Sequence, residues 1–408
     1  MIDIEHPLRV SDSNDSAASA DSWRFSLIAL VAFLTLVDLF AAQAVLPSLV
    51  DKYQVSRATV GLAVNASTFG MAVAGILVAF FGSNIDRRNG IWISLALLSI
   101  PTALLAFTDD IVVFAMLRIV QGLCMSTAFT LTIAYLSETF SASKATGALA
   151  AYVTGNVASN LFGRILSAAV AGAGGLSVNF LVLAGLNLVG ALLVWFTFKS
   201  ASRMMETNNR ETLTGRIWMV HLADPVLRRV FAIGFLILFV FIGTFTYVNF
   251  QLVALGVQPM ALGLVYLVFL PSILTTPFAG RLSIRLGSSR AIVWTLGLAV
   301  VGLLALTSRS LPITLTGLSL VAVGTFLAQA TAAGVVGRRA LSDKAGASGI
   351  YLTCYYTGGL VGSLVLGQAY DHLGWNACVA IMVTALMLAI VAVRLLTSLV
   401  TASARAPS

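Results

Sequence analysis

An all-α membrane protein of twelve helices, arranged as two six-helix bundles, is the fold class this sequence predicts. Three observations carry the expectation. Of 408 residues 59% are hydrophobic and only 10% charged, far from the roughly 25% charged of soluble domains. Apolar runs recur between Ser26 and Val400, each near the roughly 20 residues that cross a hydrocarbon core about 30 Å thick. The runs are continuous rather than alternating. In lipid, where no water satisfies the backbone, such runs close their hydrogen bonds as helices and not as a barrel.

Residues 1–23 contain Ser-Asp-Ser-Asn-Asp-Ser at 11–16 and further Ser, Ala and Asp. That composition cannot bury enough apolar surface to order itself, so a disordered tail is expected. It lacks the basic start and small-residue cleavage site of a secretory leader, and the first apolar run is expected to stay as a span. Hydropathy then predicts spans at 25–46, 58–81, 90–108, 111–136, 146–171, 177–198, 228–251, 260–279, 290–308, 312–336, 346–370 and 376–397. Leu46-Pro47-Ser48 closes the first and Asp109-Asp110 separates the third from the fourth. The remaining breaks hold Pro, Gly, Asn or charge, as short helix connections do.

The longest connection, 199–227, divides the spans six and six. It predicts an N-terminal bundle over 24–198, a C-terminal bundle over 228–398, and a second tail at 399–408. An internal repeat supports the division: Gly147, Ala148, Tyr152 and Thr154 recur as Gly346, Ala347, Tyr351 and Thr353, and Leu161 and Gly163 as Leu360 and Gly362, an offset of 199 residues. Parallel repeats of this kind mark one large class of transporter architecture.

A net charge of +8 could point to nucleic acid, but the positions of the basic residues point to topology. With the N-terminal tail cytoplasmic, 19 of the 24 Lys and Arg fall on that side, and only Lys52, Arg57 and Arg309 fall on the other. The positive-inside rule turns this asymmetry into an orientation with both termini in the cytoplasm. No nucleic-acid partner is expected. The odd set Cys124, Cys354 and Cys378 lies within spans and implies no disulfide framework.

The loop after the second span reads Gly82-Ser-Asn-Ile-Asp86-Arg87-Arg88-Asn89-Gly90. With the six-plus-six repeat, this resembles the major facilitator superfamily, whose pattern there is Gly-x-x-x-Asp-Arg-x-Gly-Arg-Lys/Arg. Asn89 replaces the second glycine and the following basic pair is absent. The resemblance implies a cytoplasmic latch made by Gly82, Asp86 and Arg87 that biases the bundles between two states. A second copy keeps Gly280 and Arg285 but has Ile284 in place of Asp, so a weaker latch is expected there. The alternative is that these residues only supply positive-inside charge.

Span 4 reads Arg118-Ile-Val-Gln121-Gly122, similar to an Arg-x-x-Gln-Gly element linked in the superfamily's drug exporters to proton coupling. Span 5 reads Gly155-Asn-Val-Ala-Ser159-Asn160-Leu-Phe-Gly163-Arg164, where proton antiporters of the superfamily carry Gly-x-x-x-Gly-Pro-x-x-Gly-Gly. The Gly163-Arg164 pair is similar instead to the YnfM-like, or acriflavine-sensitivity, branch. Asp38 with Leu46-Pro47 resembles an Asp…Leu-Pro element of some multidrug exporters.

Of the 16 acidic residues Asp38 is the one deep within a span, and a carboxylate there is a functional-site candidate, or else half of a buried ion pair. Arg118 and Arg164 are the two interior arginines; an arginine so placed normally faces a cavity or a partner, and for Arg118 the alternative is a side chain that snorkels outward. Counting residues from the span ends at 1.5 Å per residue puts all three about 11–13 Å below the outer surface. An Asp38–Arg118 pair is geometrically reasonable. The C-terminal bundle carries no charge at this depth but offers Tyr247, Asn249, Gln329 and Tyr355, suited either to an amphipathic ligand or to packing.

The expected function is therefore a secondary transporter working by alternating access, with proton-coupled efflux of small amphipathic compounds or metabolites. Asp38 and Arg118 are the coupling candidates, and Arg164, Asn160, Tyr247, Asn249, Gln329 and Tyr355 the substrate or gating candidates. The rival is a proton symporter or facilitator importing a sugar or organic acid. No span holds the clustered His, Asp and Glu that an enzyme or metal site needs, and no Gly-x-x-x-x-Gly-Lys-Ser/Thr loop occurs. Neither catalysis, a cofactor nor a metal is expected. The expected setting is a bacterial inner membrane, crossed many times, with the chain acting as a monomer.

Overall fold

The computed structural model describes residues 11–81, 85–140, 142–198, 216–258, 261–340 and 344–403, and among these every regular element is a helix. In order they are α1 (Ser11–Ala44), α2 (Leu46–Tyr53), α3 (Arg57–Phe81), α4 (Arg87–Leu104), α5 (Ile111–Thr139), α6 (Ala142–Thr197), α7 (Arg216–Ala223), α8 (Pro225–Ala254), α9 (Leu262–Val265), α10 (Leu270–Thr275), α11 (Ala279–Leu286), α12 (Ser288–Ala305), α13 (Leu311–Arg339), α14 (Lys344–Leu373) and α15 (Trp375–Ser403). Ten helical segments of the described residues are long and apolar enough to cross a membrane.

Local chemistry sets the ends. The Asp86 carboxylate caps α4 by accepting from the Asn89 N–H, Asp110 caps α5 through Val112 and Val113, and Asp224 caps α8 through Val226 and Leu227. Each satisfies amides that have no partner inside the helix. Gly287 (φ 80°) and Gly374 (φ 79°) turn the chain between α11 and α12 and between α14 and α15, in a backbone region that costs glycine least. Span 8 is broken by 3₁₀ turns at Tyr266–Phe269 and Thr276–Phe278. Pro271 and Pro277, which lack the N–H a continuous helix requires, lie at these breaks.

Several boundaries differ from the sequence expectation. α1 begins at Ser11, within the tail expected to be disordered through residue 23; a helix nucleated by the apolar run propagates at one hydrogen bond per residue. Residues 1–10 lie outside the described residues, as do 199–215 of the 199–227 connection, whose remainder forms α7, the Asp224 cap and the start of α8. At the other end α15 runs to Ser403, into the expected tail. Leu46-Pro47 opens the short helix α2 rather than a loop, with proline in the first turn where its missing N–H costs nothing. Spans 5 and 6 join in one element interrupted at Gly175 (φ 81°, ψ 176°).

Two sets of helices pack internally. In the first, α1 lies against α6, α3 against α5, and α4 against both α5 and α6; in the second, α8 lies against α14, and α12 against α13 and α15. The α1–α6 and α8–α14 pairs are the same pairing one repeat apart. The sets meet along two main seams, α3 with α14, and α6 with the broken segment from α9 to α10, and α8 adds smaller contacts with α1, α2 and α3.

At one end of the molecule, called here the α2 end, the connections tie together. Lys52 Nζ and the Tyr53 hydroxyl donate to the Thr108 carbonyl, Ser177 Oγ to Ala106, and Trp375 Nε1 to Leu306. Across the bundles the Ala58 N–H donates to Asp371 Oδ2 at 3.0 Å, and the Arg57 guanidinium lies over the rings of Phe250 and Tyr370.

Candidate functional site

Four helices of the first bundle converge on Asp38, which is 1% exposed. Its Oδ2 accepts from Asn187 Nδ2 (2.7 Å), Thr102 Oγ1 (2.9 Å) and, at longer range, Gln121 Nε2 (3.4 Å), while Oδ1 has no hydrogen-bond partner among the described residues. The Arg118 guanidinium, also 1% exposed, is held entirely by neutral acceptors: the Val64 carbonyl, Gln121 Oε1, Ser67 Oγ and the carbonyls of Asp38 and Leu39. The structure brings Asp38 and Arg118 together but not as an ion pair. Arg118 binds the main chain of Asp38, and Gln121 stands between the two charges.

Close backbone approach makes this packing possible. A Cβ on Gly122 would meet the Ser67 carbonyl, and one on Gly70 the Ile119 carbonyl, so α3 and α5 touch through reciprocal glycines beside Arg118.

Arg164, fully buried, belongs to the boundary between bundles. Its Nη2 donates to Gln43 Oε1, and its guanidinium lies 4.6–5.4 Å from the centroids of Tyr266, Phe269, Phe245 and Phe40. Three of those rings come from the second bundle. Four aromatic faces supply negative quadrupole where a carboxylate would otherwise be needed. Nε and Nη1 have no hydrogen-bond partner among the described residues.

From Gln43 a polar chain runs across the interface. Gln43 Nε2 donates to Asn65 Oδ1, and Asn65 Nδ2 to Thr246 Oγ1 and Ser363 Oγ. On the other side Asn249 Nδ2 donates to the Gln43 carbonyl, and the Tyr266 hydroxyl to Asn249 Oδ1 at 2.6 Å. The Tyr247 hydroxyl reaches the Ser363 carbonyl at 2.7 Å.

One turn before Arg164 on α6, Asn160 faces a central cavity of about 50 Å³ shared by both bundles. Gln329 and Tyr355 line the same cavity, with Phe40, Phe241 and Phe326 as apolar walls. Asn160 is fully buried, and both its amide atoms lack hydrogen-bond partners among the described residues. The volume is well below the roughly 300–1,000 Å³ of ordinary ligand pockets, so a ligand of that size does not fit the cavity in this conformation.

A family profile described as Major Facilitator Superfamily matches residues 28–270 and 252–408. The chain belongs to that superfamily. It is 24% identical over 363 residues to an uncharacterized MFS-type transporter, YybF, of Bacillus subtilis, covering 88% of this chain and 89% of that one. To the inner membrane transport protein YnfM of Escherichia coli it is 25% identical over 358 residues, with 87% and 86% covered. Among solved structures, a bacterial homologue of the human lysosomal transporter Spinster aligns with a TM-score of 0.75 at 14% identity, over 92% of this chain and 97% of that chain. The molecule is thus a multi-pass membrane transporter for a small-molecule substrate.

In this superfamily member the loop expected to act as a latch is partly visible. Gly82 lies outside the described residues. Arg87 makes a two-pronged contact with Glu138 at the end of α5, Nη2–Oε1 2.9 Å and Nε to both oxygens at 3.2 Å, while Asp86 caps its own helix. In the second repeat Gly280 faces open space, Arg285 is exposed without an ion pair among the described residues, and the tie between helix ends is made instead by Arg339 Nε and Asp224 Oδ2 at 2.9 Å.

Sequence reasoning missed Gln43, Asn65, Thr102, Glu138 and Asn187. Charge scarcity singled out the interior ions but passed over neutral amides and hydroxyls, which are common in spans. A search for amides inside apolar runs would have found Gln43, Asn65 and Asn187.

Proposed function

We propose that this transporter exports small neutral or anionic amphipathic compounds or metabolites in exchange for protons, with Asp38 as proton carrier. The observation that carries the reading is the Asp38 site: a buried carboxylate among neutral donors, one oxygen without a donor among the described residues, with the Arg118 guanidinium bound to the Asp38 main-chain carbonyl and not to the carboxylate. A proton can be held there or released without breaking an ion pair. Arg118 fixes the α1 backbone at that position, and Gln121 couples the two. Asn160, Gln329 and Tyr355 bind substrate in the central cavity, and Arg164, with Tyr247, Asn249 and the Gln43 chain, gates it. Two interior arginines against one carboxylate favour anions or neutral compounds over cations.

The reading includes twelve crossings with both termini in the cytoplasm of a bacterial inner membrane, in a monomer with bundles at 24–198 and 228–398. Support comes from the 47-residue apolar segment broken at Gly175, twice what one crossing needs, and from α4, the 18-residue helix at the third expected span. The Gly82–Arg87 loop serves as the cytoplasmic latch, with Gly280 and Arg285 as its weaker copy.

The test is transport by the purified protein in vesicles under an imposed pH gradient. Asp38→Asn, which keeps the shape and the acceptor oxygen, should abolish proton-driven accumulation while leaving downhill exchange. A ligand-stabilisation screen of aromatic carboxylates, neutral phenols and cationic dyes, repeated with Asn160→Ala, identifies the class. Full gradient-driven transport by Asp38→Asn, or stabilisation by cationic dyes alone, would defeat the reading.

A further inference from the structure

We propose that the groove between α12 and α15 is a binding site for one phospholipid with an anionic headgroup. The groove has a volume of about 820 Å³ and is separate from the central cavity. Arg290, at the start of α12, and Arg394, late in α15, line it together with Ser289. Both arginines are exposed, neither has a protein partner among the described residues, and no Asp or Glu lines the groove.

α12 starts and α15 finishes at the same end of the molecule, so the two guanidiniums share one level and the rest of the groove is apolar. Trp294 (71% exposed) and Val301 (57%) form one wall and Met387 the other. Gly297 lines the groove between them, and a Cβ there would meet nothing within 4 Å. From Arg290 to Val301 is eleven residues, about 16 Å of helix, or half of a hydrocarbon core about 30 Å thick. The groove is therefore one leaflet deep, with its charge at the headgroup level.

That arrangement selects its occupant. Guanidiniums bind phosphate oxygens in paired hydrogen bonds, and the Ser289 hydroxyl adds a donor. Two unneutralised arginines repel the ammonium of a zwitterionic headgroup and attract a headgroup whose net charge is negative. Each basic residue near an anionic lipid surface contributes about 1 kcal/mol. Two correspond to a preference of about thirtyfold.

The experiment uses the full chain purified in detergent, with lipid retention read by native mass spectrometry against phosphatidylglycerol and phosphatidylethanolamine. The wild type should retain one phosphatidylglycerol in preference, and Arg290→Ala/Arg394→Ala should lose that preference by about thirtyfold. Gly297→Leu, which keeps both arginines and fills the apolar part, should lose retention as well. Arg281→Ala, an exposed arginine on α11 outside the groove, should retain lipid like the wild type. Equal retention of the two lipids by the wild type, unchanged retention in Gly297→Leu, or the same loss in Arg281→Ala would overturn the proposal. The readout is independent of substrate and of proton coupling.

Discussion

At the scale of single residues the interior charges are held by neutral neighbours. Arg118 spreads five contacts over two backbone segments and two side chains in the plane of its fork. A lysine carries three donors on a flexible stem and cannot reach the same acceptors. Arg118→Lys should therefore destabilise the protein by about 2–4 kcal/mol, since hydrogen bonds to a charged group contribute about 1.5–3 kcal/mol each and at least one acceptor loses its donor. A fall in the thermal unfolding midpoint in detergent, together with lost transport, is the expected result; an unchanged midpoint would mean that the fork geometry is unimportant. Outside the spans, Asp224 permits a test by pH. Partial burial pushes its carboxyl up, but the Arg339 side chain and the Val226 and Leu227 amides outweigh that and hold it below its usual 3.8. The stabilisation is then complete above the unfolded-state value and is lost as pH falls through the lower folded-state value. Asp224→Asn keeps a good helix cap and removes the charge. It should cost under about 1 kcal/mol at neutral pH and flatten the acid limb of stability against pH below about 4. An acid limb identical to wild type would assign that limb to other carboxylates.

At the scale of elements, helix contact is governed by a few glycines. Gly70 and Gly122 bring α3 and α5 to backbone contact, and Gly358 and Gly362 do the same for α14 against Phe235 and Phe239 of α8. Gly122→Ala would push α5 off the Ser67 carbonyl, one turn from Arg118, which donates to Ser67 and Val64 of α3. Overpacking of this kind costs about 1–3 kcal/mol. Because the strain falls on the Arg118 contacts, Gly122→Ala combined with Arg118→Lys should be less destabilising than the sum of the two. Strict additivity in unfolding measurements would separate the glycine from the arginine. The helices themselves were legible in the sequence, since hydropathy and the 199-residue offset depend only on composition and order. α2, the start of α1 at Ser11 and the 3₁₀ breaks in span 8 were not, because each is decided by what the chain packs against or grows from. Burial was legible too: the scarcity of charge in the spans singled out Asp38, Arg118 and Arg164, and all three are buried. Rotation was not. It turns Arg118 to the Asp38 carbonyl and Gln121, and Arg164 to Gln43 and four rings of both bundles, and only the packed helices fix it.

At the scale of the whole molecule, the bundles are sealed at the α2 end, and Tyr247 is at the centre of the seal. Its hydroxyl donates to the Ser363 carbonyl, and it occupies a notch that exists because both Gly61 of α3 and Gly367 of α14 lack a side chain. Around it Ser363 Oγ donates to the Gly61 carbonyl, Asn65 donates to Ser363, and Ala58 to Asp371. These contacts link α3 of the first bundle to α8 and α14 of the second, so under the proposed alternating-access cycle they have to break for the α2 end to open. A change that weakens them shifts the population between states by its own differential energy. Tyr247→Phe removes one hydrogen bond, about 1 kcal/mol, and should raise the open population about fivefold. Gly61→Ala places a methyl against the tyrosine ring and should shift it further, by about 1–3 kcal/mol. Spin labels at Ser56 and Leu373, exposed on either side of the seal, should report a longer distance for a larger fraction of molecules in the order wild type, Tyr247→Phe, Gly61→Ala, on a background from which the free Cys124, Cys354 and Cys378 have been replaced. Should the labels show one unchanged distance in all three proteins, the seal is held by the Gln43–Asn249 and Arg164 contacts deeper in the interface, and Tyr247 only fills space.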